Sequence, residues 1–164
     1  MSVRNFELFH GAVLTKLVRT DRNMTLRLIE TRTQDAGAVY TINDEVHILV
    51  KYSASPQPLQ REEGQRWTFT FSPGQLRQLC DFIGATGCHV ALVCGDRDLN
   101  NANVQICLLD PDEVEKLIDP QSRLTQAVWV KYLPRKNLRV SSGRVTTPIN
   151  VPQGRIDTWQ VPGS

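Results

Sequence analysis

Several features that often reveal what a protein does are missing from this sequence. No apolar run approaches the roughly 20 residues of a membrane-spanning helix, so we expect no membrane partner. The N-terminal residues are not followed by the apolar core of a signal peptide, which predicts a soluble, cytoplasmic domain. The glycine-rich phosphate loop, the G-x-S-x-G nucleophile motif and the dinucleotide-binding fingerprint are also lacking, so the common nucleotide-dependent and serine-hydrolase classes have no support.

Cysteine is scarce, and its spacing does not suit metal binding. The four cysteines are Cys80, Cys88, Cys94 and Cys107. They fall inside predicted helices or strands, and none forms the C-x₂₋₄-C pair typical of a zinc site. We therefore expect reduced, buried thiols, no disulfide framework and no metal site, because a free cysteine commonly behaves as a small buried hydrophobic residue.

Acidic residues are absent from one long stretch of the chain. Residues 120–156 contain none, and they hold the basic residues Arg123, Lys131, Arg135, Lys136, Arg139, Arg144 and Arg155. Residues 81–119, by contrast, carry eight acidic side chains against Arg97 and Lys116. The net charge of +2 conceals this segregation, which says more about partners than the total does.

Length and hydrophobic pattern predict a single α+β domain over residues 1–164. Predicted helices cover residues 6–19 and begin again after Ser72 and after Asp110. Predicted strands cover residues 24–32, 38–42, 46–52, 67–71, 88–94, 104–109, 127–133 and 138–140. We expect one mixed, mainly antiparallel sheet with about three flanking helices, followed by an irregular Pro/Gly-containing tail over about residues 146–164, held in place by Trp159.

The strand at 67–71 is expected to supply much of the core. Its alternation places Trp67 and Phe69 on one face with Phe71 beside them. Their predicted packing partners are the helix residues Leu76, Leu79 and Ile83.

Two groups of residues could carry catalysis. Glu7 and His10 share one face of the first predicted helix, where Glu7 could orient the imidazole; the alternative is an ordinary surface pair. Asp44, in the turn of the hairpin at 38–52, and Lys51, on its second strand, combine a carboxylate with a lysine, as metal-assisted phosphodiester hydrolysis requires. Here the alternative is a turn aspartate and a solvent-facing lysine.

The order helix, three strands, helix, strand over about residues 6–94 resembles the core of the PD-(D/E)xK, or restriction-endonuclease-like, nuclease superfamily. In that family an acidic residue often lies on the first helix, an aspartate on the second strand and an acidic-x-Lys triplet on the third. The resemblance assigns these roles to Glu7, Asp44 and Lys51. Leu49 replaces the second carboxylate, so the resemblance implies a nuclease-like fold without robust cleavage, and Mg²⁺ as cofactor only if catalysis is retained.

The basic stretch is the candidate nucleic-acid-binding surface. Its candidate residues are Lys131, Arg135, Lys136, Arg139 and Arg144. Lysine and arginine contact phosphates, and nearby Trp129 and Tyr132 could stack on exposed bases. The alternative is a basic surface with Trp129 or Tyr132 in the core.

Two functions from different classes follow. The first is a non-catalytic, nucleic-acid-associated domain related to nucleases. The second is a protein-interaction module that uses a sheet edge or the apolar surface of the hairpin at 38–52. Salt dependence separates them, because phosphate binding weakens steeply as salt is added.

Overall fold

The computed structural model describes residues 5–20, 24–32, 37–83, 87–98 and 104–160. The helices are α1 (Asn5–Thr20), α2 (Pro73–Ile83), α3 (Pro111–Leu117) and α4 (Arg155–Thr158). The strands are β1 (Leu26–Arg32), β2 (Gly37–Ile42), β3 (Val46–Ser53), β4 (Gln57–Pro58), β5 (Gln65–Phe71), β6 (Cys88–Cys94), β7 (Gln105–Leu109), β8 (Gln126–Tyr132), β9 (Leu138–Ser142) and β10 (Ile149–Val151). The predicted α+β class is confirmed. Within the described ranges, no helix is long and apolar enough to cross a membrane.

The ten strands divide into two five-stranded sheets, whereas the sequence suggested one. Sheet A has the order β1-β2-β3-β6-β7, and sheet B has the order β10-β9-β8-β5-β4. All neighbours are antiparallel except β3 and β6, which run parallel. The helix α2 could have joined β5 and β6 as parallel neighbours, but β6 pairs with β3, and β5 pairs with β8 in the other sheet.

The burial of each strand explains this division. Every residue of β6 is buried, because sheet A is covered on both faces. Along β5 the burial alternates, since one face of sheet B packs inward and the other meets solvent. Such alternation is typical of an outer antiparallel sheet.

The core between the two sheets contains the predicted aromatic residues. Trp67, Phe69 and Phe71 are at most 1% exposed and belong to one apolar cluster with Leu76 and Leu79 of α2. The predicted anchoring of β5 against α2 is therefore confirmed for these side chains. Of Ile83 the structure describes the backbone but not the side chain, so its predicted packing lies outside the described part of the chain.

A second core lies on the opposite face of sheet A, where Phe9, Val13 and Leu17 of α1 pack. Gly95 stands between the two cores. Its carbonyl accepts a hydrogen bond from Trp67 Nε1 at 2.8 Å, and a Cβ at this position would lie 2.3 Å from the Phe9 ring. Glycine is needed here because the backbone approaches an aromatic ring so closely.

Residues 146–160 are more regular than expected, because they contain β10 and α4. The Arg155 guanidinium binds the Glu113 carboxylate of α3 and donates to the Leu108 carbonyl at 3.0 Å, which ties α4 to β7 and α3. Trp159 packs edge-on against His89 with 5.0 Å between ring centroids, so its predicted anchoring role is confirmed.

Candidate nucleic-acid interface

The solvent-facing side of sheet B collects basic and hydroxyl-bearing side chains. We call this side the outer face. Its residues are Arg66, Thr68 and Thr70 of β5, Ala127, Trp129 and Lys131 of β8, Arg139 and Ser141 of β9, and Asn150 of β10. The alternate residues of the same strands are buried in the core between the sheets, which fixes the orientation of each strand.

Three cationic residues form a row across the outer face. Arg66 of β5 is directly opposite Lys131 of β8, and Lys131 is directly opposite Arg139 of β9. Neighbouring strands are about 4.8 Å apart, so the row spans about 10 Å. We call these three residues the cation row. Like charges directly opposite one another destabilise a sheet, so the row favours any anion that neutralises it.

One carboxylate already lies against the cation row. Glu62, in the loop between β4 and β5, places an oxygen 3.0 Å from Lys131 Nζ. The hydrogen bond and charge of Lys131 lower the pKa of Glu62, and Arg139 and Lys136 act in the same direction. A groove of about 680 Å³ lies beside this contact, between residues 57–62 and the side chains of Arg66 and Lys131.

Two further cations lie at the end of the sheet nearest the cation row. Arg135 and Lys136 are exposed in the turn between β8 and β9. Arg135 has a φ of 63°, in the left-handed region that a tight turn uses. The Gln153 side chain donates to the Lys136 carbonyl at 2.5 Å, which connects this turn to the segment after β10.

The structure thus brings together four of the five predicted binding residues: Lys131, Arg135, Lys136 and Arg139. Arg144 follows the other end of β9 and lies 3.7 Å from Asp119. Arg66 was not predicted. Its only sequence signal is the alternation along residues 65–71, and that pattern does not reveal that β5 pairs with β8.

The two aromatic candidates have different surroundings. Tyr132 packs against the core between the sheets, in agreement with the alternative that placed Trp129 or Tyr132 in the core. Trp129 lies on the outer face and is partly exposed, with Thr68 and Ser141 directly opposite it on the neighbouring strands. These small neighbours leave space beside the indole ring.

The predicted nuclease residues are not brought together. Glu7 is exposed on α1, which packs on the face of sheet A that carries Ile48 and Val50. Lys51 points to the opposite face because it alternates with Val50. Asp44 lies in the turn between β2 and β3, where its carboxylate is 3.4 Å from the Arg27 guanidinium.

Lys51 is buried, so the alternative of a solvent-facing lysine is wrong, whereas Asp44 is the turn residue that this alternative proposed. Lys51 is 5% exposed, donates to Gln75 Oε1 at 2.8 Å and lies 5.1 Å from the centre of the Phe71 ring. Its neighbours in the sheet are Gly37 on β2 and Leu92 on β6.

His10 and three of the cysteines lie in the interior of the protein. His10 is 1% exposed, and its Nδ1 is 3.4 Å from the Tyr40 hydroxyl. Cys88, Cys94 and Cys107 are free and buried, as predicted; burial raises the pKa of all three thiols, to about 12 for Cys88. Within the described parts of the chain, no group of three or more His, Cys, Asp or Glu side chains has the geometry to hold a metal ion.

Comparison of the chain with known protein families, with curated proteins and with solved structures found no match. The geometry of the outer face is therefore the basis on which a function can be assigned.

Proposed function

We propose that this protein is a non-catalytic, nucleic-acid-binding domain with a nuclease-like core, and that it holds the phosphate backbone on the outer face of sheet B. The observation that carries the proposal is the cation row, in which Arg66, Lys131 and Arg139 lie in register on three adjacent strands. Arg135 and Lys136 extend the positive charge beyond the end of these strands.

Charge complementarity supports a polyanionic partner. A row of like charges on a sheet face is unfavourable by itself, because the charges repel one another. A bound anion would offset this repulsion. Phosphate groups spaced along a chain satisfy several such cations at once, and the release of counterions adds to the affinity. Glu62 shows that an oxyanion can reach Lys131 within hydrogen-bond distance, since the two atoms are 3.0 Å apart.

The residue at position 49 and the placement of Asp44 support the non-catalytic part of the proposal. Leu49 stands where the resemblance implies a second carboxylate, and Asp44 lies in the turn between β2 and β3, 3.4 Å from the Arg27 guanidinium. A metal-assisted nuclease needs carboxylates close to its lysine to hold a divalent cation. Among the elements of sheet A and the helices α1 and α2, the chain order is α1, β1, β2, β3, α2 and β6, with β4 and β5 of sheet B inserted between β3 and α2. Without that insertion the order is the one that the resemblance implies, which supports a nuclease-like core.

Binding to short DNA and RNA oligonucleotides, followed by fluorescence anisotropy, tests the proposal. The triple variant Arg66→Gln, Lys131→Gln and Arg139→Gln should lose most of the affinity, because glutamine keeps much of each aliphatic stem but removes the charge. A matched triple variant, Arg19→Gln, Arg27→Gln and Arg77→Gln, removes the same charge from exposed residues elsewhere. If both triple variants weaken oligonucleotide binding equally, the outer face of sheet B is not the binding surface.

The absence of catalysis is tested by incubating the same oligonucleotides and the protein with Mg²⁺ or Mn²⁺. We expect no cleavage. Cleavage that disappears in Lys51→Ala would overturn the non-catalytic assignment.

A protein-interaction module is the competing outcome. The hairpin of β2 and β3 does not offer the apolar surface expected of it, because both strands are interior and largely buried. Edge strand β1 remains as a docking edge, with Leu28 52% exposed. The irregular register between Leu28 and Glu30 interrupts that edge, which is a common device against strand addition. Absence of oligonucleotide binding at low salt would favour this alternative.

A further inference from the structure

We infer that the outer face selects single-stranded nucleic acid, and that Trp129 is the side chain on which a base stacks. This inference rests on the proposed function and deepens it by naming the class of nucleic acid. Three observations carry it: the position of Trp129, its distance from the cation row and the breadth of sheet B.

Trp129 occupies the middle strand of the three long strands of sheet B. The directly opposite residues, Thr68 and Ser141, and the next outward residue on its own strand, Ala127, all have small side chains. A partly exposed indole with small side chains on three sides offers an aromatic surface to a planar ligand. Every nucleobase has a face that can stack on such a surface.

The cation row lies on the same face, at the next outward-facing position along β8. Lys131 is two residues after Trp129 on β8, so their Cα atoms are about 7 Å apart and both side chains point outward. Arg66 and Arg139 continue the row on either side of Lys131. A strand whose phosphates contact the cation row therefore has its bases within reach of Trp129. Single-strand-binding surfaces combine these two elements, a basic track and an aromatic platform.

The breadth of sheet B disfavours a duplex ligand. Five strands with a spacing of about 4.8 Å measure about 19 Å from the first to the last, whereas the major groove of B-DNA is about 12 Å wide and admits an α-helix or a two-stranded ribbon. Bases inside a duplex present only their edges, so their faces cannot reach Trp129. The geometry thus favours a strand with unstacked bases.

The test compares four probes of equal length: a single strand, its duplex, a single strand of the same backbone with abasic sites throughout, and an RNA strand of the same sequence. The wild-type protein should bind both single strands more tightly than the duplex and the abasic strand. Trp129→Leu should weaken binding of the base-containing single strands about 5-fold to 150-fold, the range expected for losing one stacked base. Trp129→Phe should retain most of the affinity, because phenylalanine keeps an aromatic face.

Two readouts separate stacking from a merely structural role of Trp129. Trp129→Leu should leave the affinity for the abasic strand and the salt dependence unchanged, because Trp129 makes no phosphate contact in this account. A general loss of fold would instead weaken all four probes and would also lower the midpoint of urea unfolding.

The outcomes distinguish this inference from the proposed function. If the wild-type protein binds single strand, duplex and abasic strand equally, and Trp129→Leu changes nothing, the inference fails while phosphate binding stands. If Trp129→Leu and Trp129→Phe weaken binding equally, stacking is also excluded. If none of the probes binds at low salt, the proposed function itself fails and this inference fails with it.

Discussion

The Glu62 carboxylate lies 3.0 Å from the Lys131 ammonium, and this contact joins the loop before β5 to the outer face of sheet B. Both side chains are partly open to solvent, so the pair contributes little to the stability of the fold. Its importance lies in its position, because the carboxylate occupies the space beside the cation row that a phosphate oxygen would take in the proposed interface.

Replacing Glu62 with glutamine should therefore tighten oligonucleotide binding. The variant Glu62→Gln removes a negative charge that competes with phosphate for Lys131 and keeps the size of the side chain. We expect a several-fold gain in affinity at low salt, which shrinks as salt screens the charges. Fluorescence anisotropy with a short single strand measures it.

Glu63→Gln is the matched control, because Glu63 is exposed in the same loop one residue away. It changes the net charge equally. An equal gain in both variants would mean that only the overall charge matters and that the contact between Glu62 and Lys131 has no special role.

The buried aromatic residues of β5 should dominate the stability of the core. Phe69 is 1% exposed between the two sheets, so Phe69→Ala should lower the free energy of unfolding by about 3–5 kcal/mol. Thr70→Ala, at the exposed neighbouring position of the same strand, should change it by about 1 kcal/mol or less. Urea unfolding measures both variants, and a loss below about 1 kcal/mol for Phe69→Ala would contradict the assigned orientation of β5.

Most of the regular structure was predictable, because its signals are local. The run Cys88–Cys94 reads as a continuous apolar strand and is one. The helix predicted to begin after Asp110 does so, and Asp110 forms a capping box with Glu113, whose backbone N–H donates to the Asp110 side chain at 2.8 Å. The division into two sheets was not predictable, because it depends on β5 pairing with β8 across more than fifty residues of chain, and alternation along a strand does not name its neighbour.

The candidate site was predictable only in part, for the same reason. Lys131 and Arg139 belong to one hairpin, so a local pattern brought them together. Arg66 comes from a distant part of the chain, and it lies beside Lys131 only because β5 pairs with β8. Lys51 is buried although its alternation resembles that of an outward residue, because Gln75 of α2 accepts its hydrogen bond and the Phe71 ring of β5 lies against it.

Stability should decrease in mild acid because of His89. Its ring is 6% exposed, and no group of the described chain hydrogen-bonds its Nδ1. Burial lowers the pKa of His89, although the nearby Asp110 carboxylate acts in the opposite direction. The unfolded chain therefore takes up a proton near pH 6.5 that the folded chain takes up only at lower pH, so the free energy of unfolding falls as the pH drops below about 6.5.

The variant His89→Leu should reduce this pH dependence, because it removes the titrating group and keeps an apolar contact for Trp159. Urea unfolding at about pH 7.5 and about pH 5.5 measures the change. Part of the dependence should persist, since burial also lowers the pKa of His47. An identical pH dependence in wild type and His89→Leu would show that His89 is not responsible.

The salt dependence of single-strand binding tests the central claim most directly. Anisotropy titrations from about 50 to about 300 mM salt give the slope of log affinity against log salt, and each lost phosphate contact should reduce its magnitude by about 0.7. We predict this reduction for Lys131→Ala and for Arg139→Ala on every sequence tested, and a larger one for the double variant Arg135→Ala, Lys136→Ala. Arg27→Ala, which removes an exposed cation paired with Asp44 on sheet A, should leave the slope unchanged. Absence of binding at low salt, or a slope that is the same in the wild type and in all four of these variants, would contradict the account.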